Sequence, residues 1–228
     1  MTNILQWNCR GIRTGAPDLL DMLRGKTPAI VCIQETKLSP AHRFDVHGYS
    51  VYRKDVVSDS IAHGGVMLLT HGSIPARPLA LQTSLQAVAA RVNFDDRDIS
   101  VCSLYLPPGI TIPMLGLRNL IAELPPPLLL MGDVNAHHVI WGCNSIDTRG
   151  RQLEGLFNDE ALCILNSGDH THITLPSGRT SAIDLSVCSP ELAPRLTWSV
   201  AGDPSGSDHF PVWVGYNGGA VLGRRPTR

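Results

Sequence analysis

Apolar residues along this chain come in short runs that stop on polar ones, and the period and length of each run predict its element. Asn3–Asn8 (NILQWN) reads as a short strand ending in a polar residue. Pro17 then opens a helix with Leu19, Leu20 and Leu23 on one face, closed by Gly25. Ala29–Gln34 (AIVCIQ) is a continuous apolar run, as in a strand buried on both faces of a sheet, and it ends at Glu35. Tyr49–Arg53 and Gly65–Thr70 predict further strands. Gln86–Phe94 and Ile99–Leu106 flank the polar turn Asp95-Asp96-Arg97-Asp98, a hairpin with a four-residue connection. Ile112–Leu124 predicts a helix, stopped by Pro125-Pro126-Pro127, which launches the strand Leu128–Met131. Gly150–Asp159 predicts a short helix, followed by strands near Cys163–Leu165, His172–Leu175, Ala182–Val187, Leu196–Val200 and Pro211–Val214.

Many strands interleaved with few short helices predict an α/β protein in which two packed sheets are flanked by helices. After Tyr216 the chain turns to NGGAVLGRRPTR, rich in Gly, Pro and Arg. The expected division is therefore one domain over 1–216 and a linker or disordered tail over 217–228.

Composition narrows the class. With 43% hydrophobic and 17% charged residues, the chain can build a large core and general disorder is not expected. A formal net charge of −1 argues against a globally basic surface, yet it leaves room for a local basic groove beside an acidic site. The six cysteines show no CxxC pair, and several sit inside apolar runs, so they read as small hydrophobes in a reducing compartment. The opening MTNILQWN lacks the basic start and apolar stretch of a secretion signal, and no apolar run reaches membrane length. The expectation is an intracellular protein that is neither secreted nor a membrane protein.

The candidate chemistry lies in where the polar residues fall. Apolar runs end on Asn8, on Glu35, on Asp133 and Asn135 (LLLMGDVN), on Asp184 (AID) and on Asp208 and His209 (GSDH). Strand ends place such residues on one rim, where a sheet presents a site. Each residue alone suits a turn or a cap. Together they are the residue types that phosphodiester hydrolysis requires. A hard cation, Mg²⁺ or Mn²⁺, takes oxygen ligands such as Glu35 and keeps several waters. Asp133 suits the orientation of a water, and Asn135 the donation of hydrogen bonds to phosphoryl oxygens. His209 suits protonation or hydrogen bonding of the phosphate, with Asp208 or Asp184 as the carboxylate that fixes its tautomer.

The ordered set WNCRG (Trp7–Gly11), QET (Gln34–Thr36), SLYLPP (Ser103–Pro108), GDVNAHH (Gly132–His138), AIDLSVCS (Ala182–Ser189) and GSDHFP (Gly206–Pro211) resembles the endonuclease/exonuclease/phosphatase superfamily. Within it, the chain is most similar to the N-terminal endonuclease domain of non-LTR (LINE-type) retrotransposons. The resemblance spans Ile4 to about Val214. It implies a four-layered α/β sandwich of the DNase I-like kind, two mixed sheets packed together between layers of helices. It implies that Glu35 is the principal metal ligand with Asn8 beside it, and that Tyr105 leans on the scissile phosphate. Asp133 would position the water and Asn135 stabilise the transition state, while Asp184 and Asp208 flank His209, with Asp208 as its partner. Thr171 falls where retrotransposon enzymes carry a threonine near DNA, and a protruding hairpin that shapes target choice is expected around Glu191–Pro204.

Arg10, Arg13, Lys37, Arg43, Arg149 and Arg179 lie beside motif loops and are candidate phosphate contacts. His137 and His138 are adjacent, which is wrong for a shared ligand face, and Trp7 and Trp141 read as core. The function implied is a Mg²⁺-dependent endonuclease that nicks double-stranded DNA in the nucleus. Its 3′-hydroxyl product would prime a covalently linked reverse transcriptase. The alternatives are an abasic-site repair endonuclease of the same superfamily and an idle DNA-binding module.

Overall fold

The computed structural model describes residues 2–94 and 97–218. Asp95 and Asp96 of the expected turn, and residues 219–228 of the expected tail, lie outside the described residues.

In chain order the first half comprises β1 (Thr2–Asn8), α1 (Ile12–Lys26), β2 (Ile30–Gln34), β3 (Tyr49–Lys54), β4 (Val57–Ser58), β5 (Ile61–Ala62), β6 (Val66–His71), β7 (Ala76–Leu79), β8 (Gln86–Phe94) and β9 (Arg97–Tyr105). The second half follows with α2 (Met114–Glu123), β10 (Leu128–Asp133), α3 (Thr148–Asp159), β11 (Cys163–Ile164), β12 (His172–Thr174), β13 (Arg179–Ser181), β14 (Asp184–Cys188), β15 (Leu196–Val200) and β16 (Val212–Tyr216). Two mixed six-stranded sheets result, in the orders β15-β16-β1-β2-β6-β3 and β11-β14-β10-β9-β8-β7. β1 and β2 run parallel at the middle of the first sheet, and β10 and β9 run parallel at the middle of the second.

Three buried clusters separate four layers, as expected. Side chains alternate across a strand, so Ile4 on β1 and Leu129 and Met131 on β10 enter the cluster between the sheets with Ile30, Cys32 and Val101. Leu5 and Trp7 point the other way and pack with Leu19 and Leu23 of α1. Leu128 and Leu130 likewise meet Leu120 of α2 and Leu153 of α3. Strands covered on both faces must be apolar at nearly every position, which is why AIVCIQ carries no charge and LLLMGD none before Asp133. Among the described residues, no helix is long and apolar enough to cross a membrane.

Several boundaries differ from the sequence expectation. α1 starts at Ile12, five residues before Pro17. Left-handed Arg10 and Gly11 turn the chain sharply after β1, and Ile12 N bonds Thr36 O at 3.0 Å, so tertiary anchoring starts the helix. The β8–β9 pairing continues to Asn93 opposite Asp98 and Phe94 opposite Arg97, so Arg97 and Asp98 belong to β9 and not to the turn. β7, carrying Pro78, was not foreseen because proline argues against a strand; it survives as the outermost strand of its sheet, where a missing N–H is tolerated. The region Glu191–Pro204 is not a protruding hairpin: its strand β15 closes the edge of the first sheet against β16. Two separate two-stranded ribbons occur among the described residues, β4–β5 and β12–β13, and both precede Asp184.

Candidate active site

One rim of the sandwich collects the polar residues, and strand direction explains how. β1, β2, β9 and β10 end there, delivering Asn8, Glu35, Tyr105 and Asp133. Asp184 does not end a strand but opens β14, which runs antiparallel to β10 with Asp184 opposite Asp133. The Asp208-His209 pair likewise precedes β16, antiparallel to β1. The ends of some strands and the starts of their antiparallel neighbours thus share one rim.

The two sheets are pinned just beneath it. Gln34 Nε2 donates to Ser103 Oγ across the interface at 3.0 Å, and Ser186 Oγ donates to Gln6 Oε1 at 3.3 Å. These buried bonds fix the separation of the residues above them.

Asn8 adds a further link between the sheets. Its side-chain amide donates to Glu35 Oε1 at 3.1 Å and to Asp133 Oδ2 at 2.8 Å, while its Oδ1 accepts from Arg10 N at 3.0 Å. Asn8 thus anchors two carboxylates through its NH2 while its oxygen holds the turn at Arg10. Glu35 also accepts from the Tyr105 hydroxyl at 3.0 Å and pairs with Lys37 Nζ at 3.1 Å. Burial pushes the Glu35 carboxyl up, but the hydrogen bonds from Asn8 and Lys37 and the Lys37 charge outweigh it, so Glu35 is held below its ordinary value. Burial and the Glu35 charge push the Tyr105 phenol far up, so it stays a neutral donor.

His209 lies deep, 5% exposed. Its Nδ1 donates to Asp184 Oδ2 at 2.8 Å, and Thr171 Oγ1 donates to the same oxygen at 2.7 Å. The carboxylate partner of His209 is therefore Asp184, and the assignment of Asp208 to that role is corrected. Asp208 lies instead on the Nε2 side of the ring, where it is drawn to Arg10. Its Oδ1 lies 3.9 Å from His209 Nε2, and its Oδ2 bonds Arg10 Nη1 at 2.7 Å. His209 Nε2 also lies 3.9 Å from Asp133 Oδ2. Both gaps are too long for a direct hydrogen bond and short enough for one oxygen atom to bridge. Burial alone would push the imidazole down, but the Asp184 charge and hydrogen bond, with Asp133 and Asp208, push it up to about 9. Burial raises the Asp133 carboxyl against the lowering pull of His209.

Asp133 also makes the local turn: its Oδ1 accepts from Asn135 N at 3.0 Å, holding Asn135 in a left-handed conformation. Arg10, Glu35 and Lys37 are left-handed as well, backbone strain gathered at one rim.

Two of the candidates are spent on the protein's own groups. Thr171 is fully buried, and Arg149 spends its guanidinium on the carbonyls of Ile110, Leu106 and Val134 at 2.6, 3.0 and 2.7 Å. Arg10, Arg13, Arg43 and Arg179 are exposed, and Lys37 sits at the rim on Glu35. Trp7 and Trp141 are core residues. His137 pairs with Asp147 at 3.2 Å, and His138 caps the turn that follows it. One residue was missed: His172, which stacks on His209 with ring centroids 4.6 Å apart. Its only sequence signal was its place next to Thr171.

The fold and this rim define a nuclease-type member of the endonuclease/exonuclease/phosphatase superfamily. A family model described as endonuclease-reverse transcriptase matches residues 99–213, and the chain belongs to that family. It is 25% identical over 222 residues to a probable RNA-directed DNA polymerase from transposon X-element of Drosophila melanogaster, covering 96% of this chain. A second such polymerase, from transposon BS of the same organism, is 28% identical over 222 residues, 92% of this chain. The chain spans 24% of the length of each of these relatives. Among solved structures, the endonuclease domain of TRAS1, a telomere-specific non-LTR retrotransposon, has a TM-score of 0.77 at 22% identity, covering 95% of this chain and 98% of that one. An AP endonuclease from Archaeoglobus fulgidus has a TM-score of 0.74 at 18% identity, covering 95% and 99%. These likenesses establish the DNase I-like sandwich.

Proposed function

We propose that this chain is a Mg²⁺-dependent endonuclease that cuts one strand of double-stranded DNA, leaving a 3′-hydroxyl. The observation that carries the reading is the continuous chain of contacts from Glu35 through Asn8 to Asp133, with His209 Nε2 facing Asp133 across 3.9 Å. On this reading Glu35 is the metal-binding carboxylate, Asp133 the base and His209 the imidazole cation around one space.

Glu35 fits a hard dication: it is ionised near neutral pH, and the Lys37 ammonium already stands as a cation at its Oε2. When bound there, Mg²⁺, with Mn²⁺ as a substitute, neutralises the scissile phosphate and the charge on the leaving oxygen. The rest falls to protein groups. Asp133 orients a water and takes its proton, its raised basicity suiting it to the task. The water oxygen bonds to phosphorus and the P–O3′ bond breaks; O3′ gains a proton from solvent, leaving a 5′-phosphate on the other fragment. His209, as the imidazolium, and Asn135 donate to the non-bridging oxygens, and Tyr105 donates as a neutral phenol.

Since the matched relatives are RNA-directed DNA polymerases, the reading extends to a larger protein. Residues 1–216 would be its endonuclease unit, 217–228 a linker, and the 3′-hydroxyl the primer of a covalently attached reverse transcriptase acting on chromosomal DNA in the nucleus. An abasic-site activity has its own support in the 0.74 TM-score to an AP endonuclease. Relaxation of supercoiled plasmid with Mg²⁺ tests the reading. Wild type should nick, and Asp133→Ala and His209→Ala should not. Cleavage restricted to abasic duplex would replace nicking with repair, and DNA binding without cleavage would overturn both.

A further inference from the structure

The ribbon β12–β13 abuts the His209 segment closely. Ile173 N donates to Asp208 O at 2.8 Å, and Phe210 N donates to Thr171 O at 2.7 Å. This lacing holds His172 against His209, rings inclined at 54°. His172 Nε2 lies 3.7 Å from Asp208 Oδ2, and His209 Nε2 lies 3.9 Å from Asp208 Oδ1. One ligand atom of each residue falls within 4.8 Å of the other two. We propose that His172, Asp208 and His209 form a binding site for a borderline-soft dication, Zn²⁺ above all, whose occupation switches the nuclease off.

The donor set selects the metal. Two imidazoles and one carboxylate suit Zn²⁺, whereas Mg²⁺ keeps to oxygen and to its own waters. Outer partners are in place as well. A histidine that binds metal through one nitrogen donates the other N–H to a polar neighbour, which fixes its orientation. His209 Nδ1 is held by Asp184 at 2.8 Å, and His172 Nδ1 lies 3.3 Å from Ser181 Oγ. Both Nε2 atoms are thereby left facing the same carboxylate.

Asp208 supplies the second observation: its Oδ1 is buried without a hydrogen-bond partner. A buried acceptor in that state has unmet demand, and a cation satisfies it. Ligands bound at ~2.1 Å stand at most ~4.2 Å apart. The two contacts meet that limit through different oxygens, Oδ2 for His172 and Oδ1 for His209, so the carboxylate would ligate through both, with Arg10 remaining beside Oδ2, and a small rotation of His172 closes the third contact. Ligation displaces a proton from His209, but the surrounding carboxylates Asp184, Asp133 and Asp208 attract a dication more strongly than a proton. Inhibition follows only if the proposed function holds, because the metal takes the Nε2 that would otherwise face the phosphate.

The test separates the two readings. Metal-stripped protein without DNA is titrated with Zn²⁺ by calorimetry and with Co²⁺ by visible absorption. One equivalent should bind with micromolar or tighter Kd. His172→Ala, and His172→Phe, which keeps a stacked ring, should each weaken binding at least tenfold. In Mg²⁺-supported nicking, the Zn²⁺ concentration for half-inhibition should rise at least tenfold in both variants. Absence of Zn²⁺ binding, or binding that His172→Phe leaves unchanged, overturns the site. Binding that depends on His172 in a protein that cuts no DNA keeps the site and overturns the nuclease reading.

Discussion

Asp184→Asn keeps the shape of the side chain and an acceptor for His209 Nδ1, and removes only the charge. His209 stands at about 9 against an ordinary 6.5, although burial works against the cation. That rise, ~2.5 units, corresponds to about 3 kcal/mol favouring the imidazolium. Asp184 supplies the largest share, since of these three carboxylates it alone is in hydrogen-bond contact, at 2.8 Å against 3.9 Å for Asp133 and Asp208. Without its charge, the His209 pKa should fall by about 2 units. The basic limb of the nicking rate against pH should then move from near 9 toward neutrality, with a ~10–100-fold loss of kcat at pH 8. Stability follows the same linkage. The folded pKa lies above the unfolded one, so the contribution is complete below about 6.5 and is lost as pH rises through about 9. Urea unfolding at pH 6 and pH 9.5 should show a smaller difference in Asp184→Asn than in wild type. Asp208→Asn is the control, an identical change one residue from His209. If it shifts the basic limb as far as Asp184→Asn does, or if Asp184→Asn leaves the limb in place, the assignment of the partner is wrong.

Other substitutions probe the remaining placements. Thr171→Val should cost about 2–4 kcal/mol in urea unfolding, because Oγ1 donates to Asp184 and accepts from Ile183 N and Asp184 N, all buried. Arg149→Ala should destabilise by about 1–3 kcal/mol by stripping donors from three carbonyls, and leave the salt dependence of DNA affinity unchanged. Exposed Arg179 on the ribbon should behave oppositely: Arg179→Ala weakens DNA binding, reduces the salt slope by about 1 and spares stability. Gly132→Ala should abolish soluble expression, since a Cβ there would lie 2.0 Å from Leu104 O in the adjacent strand.

The local pattern of the chain was enough for most elements and for the letters of the rim. Runs such as AIVCIQ and LLLMGD declare strands buried on both faces, and Asn8, Glu35, Asp133 and Asn135 declare themselves by ending such runs. Those signals are legible because side-chain alternation and burial act over a few residues. Pairings are another matter. That Asp184 begins β14, and meets Asp133 because β14 runs antiparallel to β10, depends on sheet order. That Asp184 and not the adjacent Asp208 holds His209 Nδ1 depends on packing, which brings a carboxylate 25 residues away to 2.8 Å while Asp208 pairs with Arg10 on the Nε2 side. Thr171 and Arg149 looked like surface contacts because a sequence carries no record of which polar groups become buried. His172 was missed for the same reason: it has no periodicity or motif of its own, and only the bridge between the ribbon and the His209 segment stacks the two rings.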